Sequence, residues 1–485
     1  MKLDLKWLLY IPIIFLFFPA FYCSIGGSFY TIFYFVLFAA LVFCIISNPN
    51  SFIQKMSNLI KITPFKWFVI LLLFIIFNSI FLSFIGVTTT SQSVKAIMVQ
   101  LILGIIPVFV YFTYIIERYI SFEEFLNKFL LLFWFFLVVG FICYIGQLFD
   151  INIINNIFDF FANVRIMQTN TNGTFGQASD YFAYGLPRLD NLCDEPSAYA
   201  QFLFLFLPLV YFYGTSDFEL CKNKILNKFI TKTMIPFTWL SIILTFSPIY
   251  LILCLILTGI YYFKEIYSLI KKYFVIICMV FLLFIITVLN IDFSETYISR
   301  IINVISNVKS FDDFILIEPS LATRFCSYIN TFCVFLKYPI FGVGIGNIAN
   351  KMYVQYLHSP VSLTPEIINL SRIYIASLGR IHMNYGYIYV FLAENGIFAF
   401  LLLAIYYIKL FGNLINIQKI KNDCIGNLQQ YAKTIIMSII GIVILSFYNL
   451  PFTKSYVYLI FGIAIIYIYK VKTIILESIN NDEKK

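Results

Sequence analysis

The chain has 485 residues, of which 61% are hydrophobic and 12% are charged. A soluble domain carries roughly 45–50% apolar and about 25% charged residues, so this composition excludes a water-soluble protein and predicts one that crosses a membrane repeatedly. The formal net charge of +9 first has to be sorted by side of the membrane, because basic residues also set topology.

A membrane-spanning helix needs about 20 mostly apolar residues. Met1-Lys2 and the following apolar run are predicted to form a first span rather than a signal peptide, because no small-residue cleavage site follows. The stretch 235–263 is divided into two short helices at Ser247-Pro248, since proline disfavours helix at the residue before it. The predicted fold is an all-α polytopic membrane protein with about twelve transmembrane helices, near 7–23, 27–47, 67–87, 97–116, 129–149, 198–213, 235–263 as a pair, 273–290, 384–408, 431–450 and 456–470.

Two long polar loops interrupt this array, and loops of such length are usually functional or disordered. The first loop covers 150–197 and the second covers 291–383. Both are expected to contain short interfacial helices. The remaining parts are 1–149 with helices one to five, 198–290 with helices six to nine, and 384–485 with helices ten to twelve and a tail.

Basic residues predict the orientation. With the N-terminus in the cytoplasm, 22 of the 33 Lys and Arg residues fall on the cytoplasmic side, as the positive-inside rule requires. Both termini are then cytoplasmic, and both long loops face the outside. The net charge is therefore mainly a topology signal, and nucleic acid is not expected as a partner.

Arginine and lysine are distributed differently between the two predicted sides of the membrane. Six of the seven arginines fall on the predicted outer side, whereas 21 of the 26 lysines fall inside. Lysine satisfies the topology rule equally well, so the rule does not explain the outer arginines. A guanidinium fork suits bidentate binding of phosphate or carboxylate. The pattern predicts either an anionic ligand at the outer face or pairing with nearby carboxylates, namely Asp190, Asp194, Glu195 and Glu295.

The second loop contains a predicted helix that begins with Ser320 as N-cap, continues to about Lys337 and lies at the lipid interface. The following glycines, residues 342–346, are spaced G-x-G-x-G with no strand before them and no Lys-Ser/Thr after them. That spacing fits neither nucleotide-binding fingerprint, so a turn returning the chain to the membrane is predicted. Asp312 and Asp313 have no evident third ligand, and no metal site is predicted.

The two histidines, His358 and His382, both fall in the second loop. His382 lies at the N-terminal edge of the tenth span, where the helix dipole disfavours an imidazolium. A neutral imidazole suits a general base, although a structural role remains the alternative. His358, beside Ser359-Pro360, is expected to be solvated.

The order of these features resembles the Wzy-type polysaccharide polymerases and O-antigen ligases of bacterial envelopes. The resemblance covers about residues 185–410. Met383 separates His382 from Asn384, where the family usually has Asn directly after His, and Pro248 occupies a position that is often Arg. The matching elements are Glu195-Pro196-Ser197 before a span, Ser247 at a break, Arg324 followed by Gly342 to Gly344, and His382 followed by Glu394 to Gly396.

The resemblance implies a metal-independent glycosyltransferase, without a cofactor, in the bacterial inner membrane. Its substrates would be undecaprenyl-diphosphate-linked glycans at the outer leaflet. His382 would assist attack of a sugar hydroxyl on an anomeric carbon, while Arg188 and Arg324 stabilise the departing diphosphate. Membrane lipid, a chain-length regulator and a flippase are the implied partners. The implied substrate-binding residues are Glu195, Arg300, Arg372, Arg380 and Asn384.

Two alternatives stay open at this point. An O-antigen ligase shares the layout but transfers glycan to lipid A core. A flippase or other transporter is a different class and requires charged or polar residues deep within the spans. The sequence has few of these, because its polar residues are concentrated in the predicted outer loops.

Overall fold

The computed structural model describes the chain in separate ranges. These are residues 48–88, 121–154, 182–183, 186–189, 196–214, 220, 223–268, 271–272, 307–317, 319–365, 367–368, 386–420, 428–448 and 455–482, with isolated positions at 42, 45 and 46 and between 93 and 113. The described elements are α1 Pro49–Ile60, α2 Thr63–Phe84, α3 Phe122–Leu148, β1 Phe182–Ala183, β2 Leu186–Pro187, α4 Pro196–Gly214, α5 Lys224–Leu244, α6 Pro248–Tyr261, α7 Phe311–Ile317, α8 Pro319–Lys337, α9 Ile348–Tyr356, α10 Tyr387–Lys419, α11 Leu428–Tyr448 and α12 Ser455–Asp482. The predominance of helix agrees with the all-α prediction.

Six helices in the described ranges are long and apolar enough to cross a membrane. They are α2, α3, α4, α10, α11 and the part of α12 from Val457 to Ser478. Each coincides with a predicted span, which confirms the membrane-protein class. The predicted spans 7–23 and 273–290 lie outside the described residues, as do most of 27–47 and 97–116, so the number twelve stays a prediction.

The predicted break at Ser247-Pro248 is confirmed. Helix α5 ends at Leu244 and α6 begins at Pro248, where proline is favourable because the first helical position needs no N–H donor. Between them, Phe246 has a positive φ of 46°, which turns the chain sharply. Neither helix is among the six candidate spans, so the crossing of the membrane by this pair stays a prediction.

Several helices extend past the apolar runs that predicted them. Helix α5 begins at Lys224, well before residue 235, because the Asn223 side chain accepts hydrogen bonds from the N–H groups of Ile225 and Leu226. Lys224, Lys228 and Lys232 are therefore helical and exposed, rather than parts of a loop. Hydropathy reports the length of chain that fits the apolar layer of a membrane, whereas capping residues determine where a helix begins or ends.

The first long predicted loop contains a β-hairpin among its described residues. Phe182 pairs with Pro187 and Ala183 pairs with Leu186 in an antiparallel register. Only two positions separate the strands in the sequence, a spacing typical of a tight hairpin. The expectation of interfacial helices in this loop stays a prediction, because most of residues 150–197 lie outside the described residues.

Helix α4 is the most enclosed of the six candidate spans, with 83% of its apolar window buried. It packs against α5, α6 and α11, and its Phe202 and Phe206 stack among the aromatic rings of α3. A helix that is apolar on all sides is expected at the centre of a large assembly. Because α4 is central, its Pro196 end is held next to the ends of its neighbours.

Lysines and aromatic rings cluster at one end of the bundle. Lys470 of α12 pairs with Glu123 of α3 at 2.5 Å. The Nζ of Lys55 lies 3.9 Å from the ring centroid of Tyr469, and Lys433 packs in the same way on Tyr261. This lysine end contains residues that the sequence assigned to the cytoplasm, and its orientation in a cell stays a prediction.

Candidate functional site

Arg324, on α8, is half-buried, and its guanidinium lies 5.1 Å from the ring centroid of Tyr448 at the end of α11. One turn later, the Tyr328 hydroxyl donates a 2.8 Å hydrogen bond to the backbone carbonyl of Tyr448. The two contacts fix α8 on the C-terminal end of α11. The guanidinium is therefore stacked on a ring rather than extended into solvent.

Tyr448 connects Arg324 to the break between α5 and α6. Its ring meets the ring of Tyr250 edge-on, with centroids 6.1 Å apart. Tyr250 lies in the first turn of α6, two residues after Pro248. Its hydroxyl donates to Oε1 of Gln201 on α4 at 3.4 Å. Two aromatic rings therefore join Arg324 to the α6 N-terminus.

Arg188 reaches the same break from the β-hairpin. Its Nε donates a 3.0 Å hydrogen bond to the carbonyl of Thr245, and the N–H of Leu189 donates to the carbonyl of Leu244 at 2.8 Å. The last carbonyls of a helix lack intrahelical donors, and a cation near them is favourable. The end of α5 thus holds Arg188 at the break, which also contains the buried Ser247.

The start of α10 lies against the helix that carries Arg324. Gly386 has a φ of +85°, and a Cβ there would lie 3.0 Å from the ring of Tyr328 and 3.1 Å from the carbonyl of Phe447. Tyr389 then stacks on Tyr328 with ring centroids 5.1 Å apart. The chain that follows His382 thus enters α10 beside α8 and α11.

The structure brings together elements that are far apart in the sequence, at what we call the Arg324 end of the bundle. They comprise Arg188, the break at Ser247, Arg324 and Gly386 at the start of α10. The other predicted site residues lie outside the described residues, as do the four carboxylates considered as arginine partners. These residues are His382, Asn384, Glu195, Arg300, Arg372, Arg380, Asp190, Asp194 and Glu295.

The glycine loop, residues 338–347, is a turn as predicted, but it packs into a break within α10 that the sequence did not predict. The N–H groups of Val343 and Gly344 donate to the carbonyls of Ala393 and Glu394 at 2.9 and 2.7 Å. In return, the N–H of Ile397 donates to the carbonyl of Pro339 at 2.9 Å. The loop thereby supplies partners that the interrupted helix lacks.

A glycine marks this break in α10. Gly396 has a φ of +72°, inside a helix that otherwise runs from Tyr387 to Lys419. The side chains of Asn78 and Ser79 on α2 also bind the loop backbone, at Phe341 and Ile345. The sequence shows two glycine-containing motifs, Gly342 to Gly346 and Glu394 to Gly396, but neither motif indicates that it contacts the other.

Polar contacts attach α8 to the segment around α9. Asn330 donates to the Ser359 hydroxyl at 2.9 Å, and Lys337 donates to Oε1 of Gln355 at 2.7 Å. Helix α8 also packs against α10, so it is part of a folded block, and its position at the lipid interface stays a prediction. It begins at Pro319, not after Ser320 as predicted, because proline fits the first turn of a helix.

The remaining candidates have simple local roles. Asp313 accepts hydrogen bonds from the N–H groups of Lys309 and Ser310, and its own N–H donates to the Ser310 hydroxyl. This reciprocal capping of α7 lowers the pKa of the Asp313 carboxyl, with the Ser310 hydrogen bond as the largest cause. His358 is exposed at the end of α9. Within the described ranges, no three His, Cys, Asp or Glu side chains are grouped as metal ligands would be.

Neither a family model nor a curated protein matches the sequence.

Proposed function

We propose that the chain is a polysaccharide polymerase, of O-antigen or capsule type, which joins undecaprenyl-diphosphate-linked repeat units. The observation that carries this proposal is the link from Arg324 through Tyr448 and Tyr250 to the break where Arg188 is bound. One arginine binds a helix break in a membrane protein directly, and a second, on α8, is linked to the same break through two aromatic rings. That arrangement supports binding of a diphosphate carried by a lipid.

The proposed chemistry is transfer of a glycan from one lipid diphosphate to a sugar hydroxyl of another. His382 takes the proton of the attacking hydroxyl, the oxygen forms the new bond to the anomeric carbon, and the bond to the diphosphate oxygen breaks. Negative charge grows on the diphosphate as it leaves. A fixed guanidinium stabilises that transition state more than the ground state, and the stacking of Arg324 on Tyr448 keeps it fixed.

The other predicted residues have supporting roles in this proposal. Glu195 and Asn384 bind sugar or orient an arginine. Arg300, Arg372 and Arg380 add positive charge around the diphosphate. The site lies at the outer face of the bacterial inner membrane, both termini are cytoplasmic, and a flippase and a chain-length regulator are its partners.

A transporter is the alternative from a different class. In its favour, α10 is discontinuous and contains a buried glutamate, Glu394, as substrate-binding helices of transporters often do. That carboxylate, however, is already engaged by backbone N–H groups of the glycine loop and of α9. The engagement favours a structural role for Glu394, and with it the polymerase.

Purified protein with defined acceptors separates these functions. With lipid-linked repeat units alone, we expect chains of many repeats in detergent, measured by gel mobility. A ligase would transfer glycan only when lipid A core is added. A transporter would form no glycosidic bond with either acceptor, and that result would refute the proposed enzyme class.

A further inference from the structure

Glu394 binds two consecutive parts of the second predicted loop. Its Oε1 accepts a 2.9 Å hydrogen bond from the N–H of Gly346, and its carboxylate also accepts from the N–H of Ile348. Ile348 is the first residue of α9. One side chain of α10 therefore binds both the end of the glycine loop and the start of the next helix.

The carboxylate acts as the cap that α9 lacks. Asn347 occupies the N-cap position, but its side chain makes no capping hydrogen bond and instead donates to Ser93 and to the carbonyl of Ile345. The first N–H groups of a helix need partners from outside it, and negative charge is favourable there. Glu394 meets both needs from a different helix.

Close contacts between backbones make the packing of the glycine loop into the break of α10 specific. A Cβ on Gly396 would lie 2.2 Å from the carbonyl oxygen of Ile340, and one on Gly342 would lie 2.4 Å from the carbonyl carbon of Glu394. Neither backbone atom can rotate away as a side-chain end could. Both glycines also have positive φ, which other residues adopt at a cost.

We propose that Glu394 is a positioning residue, which holds the block of α8 and α9 on α10 so that Arg324 stays beside the start of α10. The connection runs from Glu394 to α9, from α9 to α8 through Gln355 and Lys337, and along α8 to Arg324. His382 is only four positions before Gly386, which directly precedes α10. This inference rests on the proposed function for its catalytic consequence, but not for its geometry.

A cross-link tests the geometry without substrate. The rings of Phe341 in the loop and Phe398 in α10 are 5.9 Å apart and both are exposed, so a Phe341→Cys, Phe398→Cys pair should react with a short, membrane-permeable bis-maleimide. Glu394→Gln and Gly396→Ala should each lower the yield of the linked peptide, measured by mass spectrometry, at least about threefold, since a hydrogen bond to a charged group is lost or a backbone clash is introduced. Gly412→Ala is the matched control on the same helix, because nothing lies within 4 Å of a Cβ there.

The kinetic arm uses the full protein with lipid-linked repeat units. Glu394→Gln should lower kcat at least about tenfold while KM stays within about twofold, because the displaced Arg324 stabilises the charge that grows on the diphosphate in the transition state more than it stabilises the bound substrate. Cross-linking that stays at the control level in both variants would overturn the proposal, and so would normal kcat after the cross-link is lost. If the unsubstituted protein forms no polymer, the proposed function fails, while the cross-link still decides whether Glu394 holds the loop.

Discussion

Replacing His382 with Gln is expected to abolish detectable polymer while the protein still inserts into the membrane. A general base contributes about 10²–10⁴-fold to a rate, and glutamine keeps a polar side chain of similar size that cannot take up the proton. The measurement is chain formation from lipid-linked repeat units at equal protein level, with substrate binding measured separately. Binding should be retained, because the base acts on the attacking hydroxyl.

The control for this variant is His358→Gln. His358 is the other histidine of the chain, and it is exposed at the end of α9, so we expect polymer formation to be nearly unchanged. Polymerisation that persists in His382→Gln would show that the hydroxyl needs no base or that another residue supplies one. Loss of activity in His358→Gln alone would move the base within the same predicted loop.

Replacing Arg324 with Lys should lower the rate of chain formation at least about tenfold, equivalent to roughly 1.4 kcal/mol in the barrier. The charge is kept, but the planar fork that binds a diphosphate bidentately is lost. The stacked position above Tyr448 suits a flat guanidinium better than a compact ammonium. The measurement is the initial rate of polymer formation, normalised to protein in the membrane.

Arg118→Lys is the matched control, since Arg118 is the one arginine that the sequence assigns to the cytoplasmic side. It should leave the rate unchanged. Arg188→Lys should lower the rate in the same direction as Arg324→Lys, because Arg188 is bound at the same break. Full activity in both Lys variants at 188 and 324 would show that these arginines serve only as surface or topology charges.

The sequence predicted those parts of the fold that depend on local composition. Apolar runs located the candidate spans, and Ser247-Pro248 located a helix break, because proline acts on its immediate neighbour. Helix ends were less predictable: α5 starts at Lys224 and α12 continues to Asp482. Helices continue beyond the membrane thickness wherever caps and packing stabilise them, and hydropathy does not report this.

The candidate site was only partly predictable, for a similar reason. Residue type and predicted side indicated six outer arginines, and the resemblance singled out Arg188 and Arg324 among them. The structure places Arg188 at the break and links Arg324 to it through two aromatic rings. The packing of the glycine loop against Glu394 was not predicted, because Gly346 and Glu394 are 48 positions apart. Such a pairing depends on how α8, α9 and α10 pack, and neither segment carries a local pattern that specifies the other.

Membrane vesicles of defined orientation test the central claim most directly. The same water-soluble, short-chain analogue of the lipid-diphosphate repeat unit is added only to the outside of right-side-out vesicles or of inverted vesicles, and glycosidic bond formation is measured. We expect polymer in right-side-out vesicles and none in inverted ones, because the Arg324 end is assigned to the outer face. Polymer only in inverted vesicles, or no bond formation in either, would contradict this account.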